Sequence, residues 1–160
     1  MRGLTLARLF ALLAPAALLG GALLSEYVGG LAPCEMCYWQ RWPHAAAIGF
    51  ALLALLFRGG AARFFLVLAA LAIAVSGGIG IFHAGVEYGW WEGLTACSTS
   101  SMGGSTQDIL ANIMATPLVR CDVPQWTLFG VSLAGYNAIL SLGAAIAILV
   151  LTTGYKGKRA

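Results

Sequence analysis

Four cysteines are the residues of this chain whose type and spacing suggest chemistry. Cys34 and Cys37 form a Cys-X-X-Cys sequence, whereas 23 residues separate Cys97 from Cys121. A disulfide that closes so small a ring as Cys-X-X-Cys removes little chain entropy from the unfolded state, so it stabilises a fold poorly. Thiol–disulfide exchange is the better use of that pair, and we predict a redox role for it.

The pairing of the four cysteines stays open at this level, because four cysteines allow three pairings. The natural pairing joins Cys34 to Cys37, which are neighbours, and Cys97 to Cys121, which share a predicted loop. A structural bridge is the simpler interpretation of the second pair. We predict no metal site, because structural zinc sites usually combine two closely spaced pairs and this chain has one.

Two side chains near the cysteines could assist electron transfer. Arg41 follows Cys37 by four residues, the spacing that puts two side chains on one helical face. A helix N-terminus and a nearby cation both favour a thiolate, so Cys37 is the predicted reactive thiol. His83 could hydrogen-bond an electron acceptor or move a proton, with Glu87 as a partner. Arg41 could instead only anchor the outer leaflet by snorkelling.

Composition assigns these cysteines to a membrane protein. Of the 160 residues 60% are hydrophobic and 9% are charged, against about 25% charged residues in an ordinary soluble domain. A helix needs about 20 mainly apolar residues to cross a bilayer, and four stretches qualify: 6–27, 39–57, 64–82 and 126–152. We predict an all-α membrane protein, a four-helix transmembrane bundle forming one integral membrane domain over 1–160. A β-barrel would require short segments of alternating polarity.

The basic residues orient the spans. Seven lie on one side and two on the other: Arg2, Arg8, Arg58, Arg63, Lys156, Lys158 and Arg159 against Arg41 and Arg120. By the positive-inside rule both termini are cytoplasmic, and the loops 28–38 and 84–125, with all four cysteines, face outward. Disulfides can persist there if the compartment is oxidising. The N-terminal stretch resembles a signal peptide, but three further spans favour an uncleaved first helix.

Local patterns refine the two ends of the bundle. Pro43 predicts that the regular part of the second helix starts near it, with Arg41 in a preceding turn. The segment from Ser105 to Asp108 resembles a capping box, and it opens a short helix that we expect to lie flat on the outer leaflet or to pack on the bundle. Its apolar face would consist of Ile109, Leu110, Ile113 and Met114. Three residues fit an aromatic belt: Trp90, Trp91 and Trp126.

Two expectations concern partners. No basic stripe with interleaved aromatic residues is visible, so nucleic acid is not a predicted partner. Small residues let transmembrane helices approach closely, and we expect a monomer whose helices contact one another through residues such as Gly77, Gly78 and Gly80.

Two segments resemble the disulfide bond formation protein B (DsbB) family. They are Pro-Cys-Glu-Met-Cys-Tyr-Trp-Gln-Arg at 33–41 and Arg-Cys-Asp-Val-Pro-Gln-Trp-Thr-Leu-Phe-Gly at 120–130, and the resemblance extends over nearly the whole chain. It implies a protein-dithiol:quinone oxidoreductase of the bacterial inner membrane, with its redox loops in the periplasm. Such an enzyme reoxidises a soluble thiol oxidase (DsbA) and passes the electrons to ubiquinone or menaquinone.

The resemblance also implies a role for each cysteine. The reduced partner would attack Cys97, form a mixed disulfide and release Cys121. Cys121 would then bridge to Cys34, which leaves Cys37 as a thiolate facing a quinone that Arg41 positions. A flat helix in the second loop recurs in the family, and two glycines would serve as its hinge, Gly103 and Gly104.

Alternatives remain at this level. In relatives of vitamin K epoxide reductase the separated cysteine pair precedes the Cys-X-X-Cys, and the opposite order here favours DsbB. A specialised paralogue that serves one dedicated partner is another possibility, and a non-enzymatic membrane scaffold stapled by disulfides is a third. Gln40 occupies a place where some family members carry an acid, and the second loop before Ser105 is short and glycine-rich. The latter departure leaves the choice of partner open.

Overall fold

The computed structural model describes residues 2–93 and 119–154, which form four long helices and one β-hairpin. The helices are α1 (Arg2–Tyr27), α2 (Glu35–Leu56), α3 (Gly59–Glu87) and α4 (Leu133–Thr153). Strands β1 (Thr127–Leu128) and β2 (Val131–Ser132) pair antiparallel. The mostly helical fold confirms the predicted helical bundle. Cys97, the Gly103–Gly104 hinge and the predicted short helix lie outside the described residues.

Helices α1, α3 and α4 are long and apolar enough to cross a membrane. Large apolar side chains cover the outside of the described bundle, for example Leu13, Leu24, Ile139, Ile146 and Val150. The buried core instead contains many alanines, among them Ala7, Ala11, Ala47, Ala51, Ala54, Ala69 and Ala70. This distribution suits helices in lipid, because small residues let the backbones approach while large ones face the acyl chains.

Helix α2 begins earlier than the sequence suggested. Cys34 is its N-cap residue, so Cys37 lies in the first turn and Arg41 lies one turn further on. Pro43 lies inside the helix and does not start it, so the prediction of a helix beginning near Pro43 was wrong. A proline removes a single N–H donor, and the helix continues through it here at that cost.

Helix α4 begins later than the predicted start at Trp126. Phe129 and Gly130 have positive φ angles of 50° and 77°, the conformation that a two-residue hairpin turn requires. The chain therefore forms the hairpin first. Ser132 then caps α4, because its side-chain oxygen accepts a hydrogen bond from the backbone N–H of Gly135 at 3.1 Å.

The end of the bundle opposite the cysteines is closed by a short turn. Only Phe57 and Arg58 separate α2 from α3, and Gly59 has a φ of 64°. Arg8 of α1 donates a hydrogen bond to the carbonyl oxygen of Phe57 at 2.7 Å. The tight turn makes α2 and α3 antiparallel neighbours.

Two of the three glycines singled out in α3 are contact points with α4. A Cβ atom on Gly80 would lie 3.0 Å from the carbonyl oxygen of Ala134, and one on Gly77 would lie 2.9 Å from the side chain of Leu142. A Cβ atom on Gly78 would meet nothing within 4 Å. The expectation of close helix packing is thus confirmed for Gly77 and Gly80, and it was wrong for Gly78.

Gly80→Ala should destabilise the bundle by about 1–3 kcal/mol, because backbone atoms of α4 cannot yield as a flexible side chain can. Gly78→Ala is the matched control. It should be neutral or stabilising by about 0.5–1 kcal/mol, since alanine favours a helix. Thermal unfolding of the two variants in detergent measures the difference. Equal midpoints would show that α3 and α4 do not meet at Gly80.

Candidate functional site

Three cysteines from two separate segments meet at one end of the bundle. Cys34 and Cys121 are both buried, and the Sγ atoms of the two, together with Nε2 of His83, all lie within 4.8 Å of one another. Cys34 also lies 3.2 Å from Cys37, sulfur to sulfur. All three cysteines are free thiols. The structure thus brings Cys121 to the Cys-X-X-Cys pair, a contact that local spacing had not predicted.

Apolar packing and loop hydrogen bonds hold Cys121 in this position. Cys121 belongs to a small buried cluster with Cys34, Met36 and Val86. The nearby hairpin is tied to the end of α3, because Tyr88 donates its hydroxyl to the carbonyl of Gly130 at 3.0 Å and accepts from the backbone N–H of Ser132 at 2.9 Å. These contacts bring the second loop over the start of α2.

The two thiols of the Cys-X-X-Cys differ electrostatically. Cys34 donates its S–H to the sulfur of Cys37, and this hydrogen bond and burial raise the pKa of Cys34 far above its usual range. Cys37 precedes the predicted second span, and its pKa is lowered chiefly by that hydrogen bond and also by the charge of Arg41. The arrangement therefore favours a thiolate on Cys37 over one on Cys34.

Arg41 is held by partners that sequence spacing did not identify. Its guanidinium forms an ion pair with Glu26 at the end of α1 and donates to the carbonyl of Ala22 at 3.2 Å. It also lies over the ring of Tyr38, 5.2 Å from the centroid. Its Nε atom is buried without a hydrogen-bond partner in the described part of the chain. Arg41 is thus fixed near Cys37 with one donor still available.

His83 is a buried residue of the cluster and not an interfacial one. Helix α3 continues past it to Glu87, and its side chain is only 3% exposed. Its Nε2 atom lies 3.5 Å from the sulfur of Cys34, and its Nδ1 atom lies 2.8 Å from Nε2 of Gln40. Glu87, the predicted partner, is 3.7 Å away. The side chain therefore contacts the dithiol directly.

A network of polar side chains lies beneath the dithiol, and the sequence patterns did not predict it. Asn137 of α4 donates to Gln40 at 2.7 Å and lies within 2.9 Å of His44, oxygen to Nε2. Two serines complete the network, Ser76 and Ser141. Polar residues inside apolar spans are the signal that could have revealed this network. Such residues are costly in lipid, so they are rare there and usually pair with one another or take part in function.

A cavity of about 430 Å³ opens beside this cluster. Apolar residues of α1 and α4 form much of its wall, for example Leu18, Leu19 and Leu140. The polar lining contains Cys37, Arg41, Gln40, His44 and Asn137. Small-molecule sites are typically cavities of roughly 300–1,000 Å³ with few polar groups, so an apolar ring with polar substituents could bind here.

Fold and site together define a bundle of apolar helices with a thiol cluster at one end and an adjoining apolar cavity. The family model for disulfide bond formation protein DsbB matches residues 5–151 of the chain. The chain therefore belongs to the DsbB family. Membership supports a membrane protein of disulfide bond formation, with oxidoreductase activity.

Individual relatives agree with this assignment. A disulfide bond formation protein B of Verminephrobacter eiseniae is 32% identical, with 92% of this chain and 85% of the relative covered. One of Xanthomonas oryzae pv. oryzae is 28% identical over 94% of this chain and 90% of the relative. An uncharacterized protein of Rickettsia prowazekii is 28% identical, with 78% of this chain and 73% of the relative covered. Solved structures gave no match.

The contact between Cys34 and Cys121 predicts a cross-link. In the double variant Cys37→Ser/Cys97→Ser, mild oxidation should join the two remaining cysteines, because both are buried side by side. Peptide mapping under non-reducing conditions detects the bond. The triple variant that adds Cys121→Ser is the control. Failure of the double variant to form the bond would show that the second loop does not lie over Cys34.

Removing the charge of Arg41 should make Cys37 less reactive. In Arg41→Gln the pKa of Cys37 should rise, because an opposite charge nearby favours the thiolate. The profile of Cys37 alkylation rate against pH, followed by mass spectrometry, should shift to higher pH. Arg58→Gln removes an exposed cation beyond the opposite end of α2 and should cause no shift. Equal profiles for both variants would contradict the electrostatic role of Arg41.

Proposed function

We propose that this chain is a thiol:quinone oxidoreductase of the bacterial inner membrane, which reoxidises a periplasmic DsbA-like protein. One observation carries the proposal. The polarised Cys34–Cys37 dithiol contacts Cys121 of the second loop on one side and lines an apolar cavity with Arg41 on the other. Such a position connects a soluble thiol partner with an oxidant dissolved in the bilayer.

The cavity and its donors suit a quinone. The volume of about 430 Å³ and the apolar wall match a small ring with an isoprenoid chain. Arg41 lines this cavity, and its guanidinium could donate to a carbonyl oxygen there. Arg41 would hold the ring beside Cys37, with His83 as a further polar group of the site. When bound, a quinone accepts two electrons and two protons, the number that one dithiol supplies.

The exchange steps follow from the cysteine positions and from the family. A thiolate of the partner attacks Cys97, the Cys97–Cys121 bond breaks, and Cys121 leaves as a thiolate. Cys121 then attacks the sulfur of Cys34 in the Cys34–Cys37 disulfide, so a Cys34–Cys121 bond forms and Cys37 takes the electron pair. The partner's second thiolate attacks the partner sulfur bonded to Cys97, which releases the oxidised partner and the Cys97 thiolate. The Cys97 thiolate then attacks Cys121, so the Cys97–Cys121 bond re-forms and Cys34 leaves with its electron pair. A bound quinone would take two electrons and two protons from the Cys34–Cys37 dithiol, and the disulfide of that pair would be restored.

The same proposal includes a topology. Four spans with cytoplasmic termini would put the dithiol, Cys97 and Cys121 on the periplasmic side, where the partner resides. A short helix in the second loop would keep Cys97 near the membrane surface. We further propose that the protein works as a monomer, since α3 and α4 already contact each other closely at Gly80.

A stapled scaffold without activity is the alternative from another class. It would need neither a cavity beside its cysteines nor a buried donor without a partner among the described residues. Both features are present here, at Cys37 and at Arg41, and they favour the oxidoreductase.

Turnover by the purified protein in detergent tests the proposal. A reduced DsbA-like protein should be oxidised only when ubiquinone or menaquinone is added, and assays with each quinone identify the acceptor. Cys37→Ser should abolish this oxidation, whereas Gly78→Ala, at an open position of α3, should retain it. Quinone-dependent activity that survives in Cys37→Ser would refute the proposed relay.

Trapping identifies the entry point for electrons. In Cys121→Ser the thiol of Cys97 is free, so the partner is supplied as a single-cysteine variant whose thiol carries a glutathione disulfide. The Cys97 thiolate attacks the partner's sulfur and glutathione leaves as the thiolate. Because Cys121 is no longer present to resolve the mixed disulfide, the adduct should accumulate. Non-reducing electrophoresis with peptide mapping detects it. An adduct on Cys34 in place of Cys97 would reverse the proposed order of exchange.

A further inference from the structure

A line of hydrogen bonds runs from α4 through α2 and α3 to the dithiol. The first bond joins Nδ2 of Asn137 to Oε1 of Gln40 at 2.7 Å. The second joins Nε2 of Gln40 to Nδ1 of His83 at 2.8 Å. Nε2 of His83 then lies 3.5 Å from the sulfur of Cys34. Gln40, His83 and Cys34 are all buried.

Backbone carbonyls fix the direction of this line. The Nδ2 atom of Asn137 also donates to the carbonyl of Ser76 at 3.2 Å, and Nε2 of Gln40 also donates to the carbonyl of Met36 at 3.2 Å. A carbonyl oxygen can only accept, so the NH₂ group of each side-chain amide must point toward it. Neither amide can be reversed without placing two acceptors against each other.

The direction of the amides decides the tautomer of His83. Because Gln40 donates to Nδ1, that nitrogen carries no proton, and the neutral ring must carry its proton on Nε2. That N–H lies 3.5 Å from the sulfur of Cys34 and also interacts with the backbone carbonyl of Cys121. The nearest oxygen of Glu87 lies 3.7 Å from the same nitrogen, beyond hydrogen-bond distance.

We propose that Gln40 and Asn137 are positioning residues that hold His83 as its Nε2–H tautomer, so that this N–H donates to the sulfur of Cys34 and polarises the dithiol toward Cys37. The tautomer follows from the hydrogen bonds alone. Its use in turnover rests on the proposed oxidoreductase function.

The donor would act in both redox forms of the pair. In the dithiol, Cys34 accepts from His83 and donates its S–H to Cys37 at 3.2 Å, which continues the line to the sulfur that ionises. In the Cys34–Cys37 disulfide, a donor on Cys34 withdraws electron density from that sulfur. The thiolate of Cys121 would then attack Cys34, and Cys37 would leave with the electron pair on the cavity side.

Nitrogen NMR of the imidazole rings tests the tautomer directly. The chain has only two histidines, so ¹⁵N-histidine labelling of the full-length protein in detergent gives few signals, and His83→Asn assigns those of His83. In the wild type, Nε2 of His83 should have the shift of a protonated nitrogen and Nδ1 that of an unprotonated one. A wild-type His83 protonated on Nδ1 would overturn the proposal without any variant.

Substitution of Gln40 tests the cause. Gln40→Glu replaces the donor with a carboxylate, which can only accept from Nδ1, so the proton should move to Nδ1 and the two shifts should exchange. Gln40→Met keeps the volume without adding charge and should give a mixture of tautomers. Gln125→Glu makes the same chemical change at an exposed loop residue and should leave the His83 signals unaltered. Unchanged His83 signals in Gln40→Glu would overturn the assignment to Gln40.

The alkylation profile of Cys37 reports the consequence for the dithiol. Both Gln40→Glu and Gln40→Met should shift the pH profile of Cys37 alkylation upward by about one pH unit. In both variants the Nε2–H of His83 is no longer held as a donor to the sulfur of Cys34. A shift in Gln40→Glu alone would be an effect of the added charge and would contradict transmission through His83. These readouts need neither partner nor quinone, so loss of the proposed turnover and failure of this inference are distinguishable.

Discussion

Burial of polar groups in an apolar bundle is the constraint on which the rest of this structure depends. A polar side chain inside the bundle cannot use water, so it must find a partner on a neighbouring helix or incur a large desolvation cost. Gln40, Ser76 and Asn137 meet this requirement by bonding to one another across α2, α3 and α4. The result is a rigid polar core directly under the dithiol, which gives His83 and Cys34 defined positions.

Small residues make that network possible. The α3 and α4 backbones approach each other closely at Gly80, where a single added carbon would already be too near. Only at such a separation can the short side chain of Asn137 reach both the carbonyl of Ser76 and the amide of Gln40. Packing between helices therefore determines the hydrogen bonds, and the hydrogen bonds in turn orient the groups around the cysteines.

On the other side of the dithiol, the charged side chain of Arg41 lies between two acidic groups. Arg41 shares its charge between Glu26, which holds it, and Cys37, whose pKa it lowers. The pairing with Glu26 avoids an isolated cation at the membrane boundary, and Arg41 also lines the cavity. A fixed cation beside an ionisable thiol and an apolar cavity is a combination that suits transfer of electrons from protein thiols to a lipid-soluble acceptor.

The sequence alone determined the features that depend on local pattern. Hydrophobic length indicated the helices, the spacing of Cys37 and Arg41 predicted their proximity on one helical turn, and the motifs around the cysteines identified the family. Only the tertiary structure decided which distant residues meet. The contacts of Cys34 with His83 and of Arg41 with Glu26 arise from helix packing, and hydrophobic periodicity does not specify which faces of apolar helices pack together.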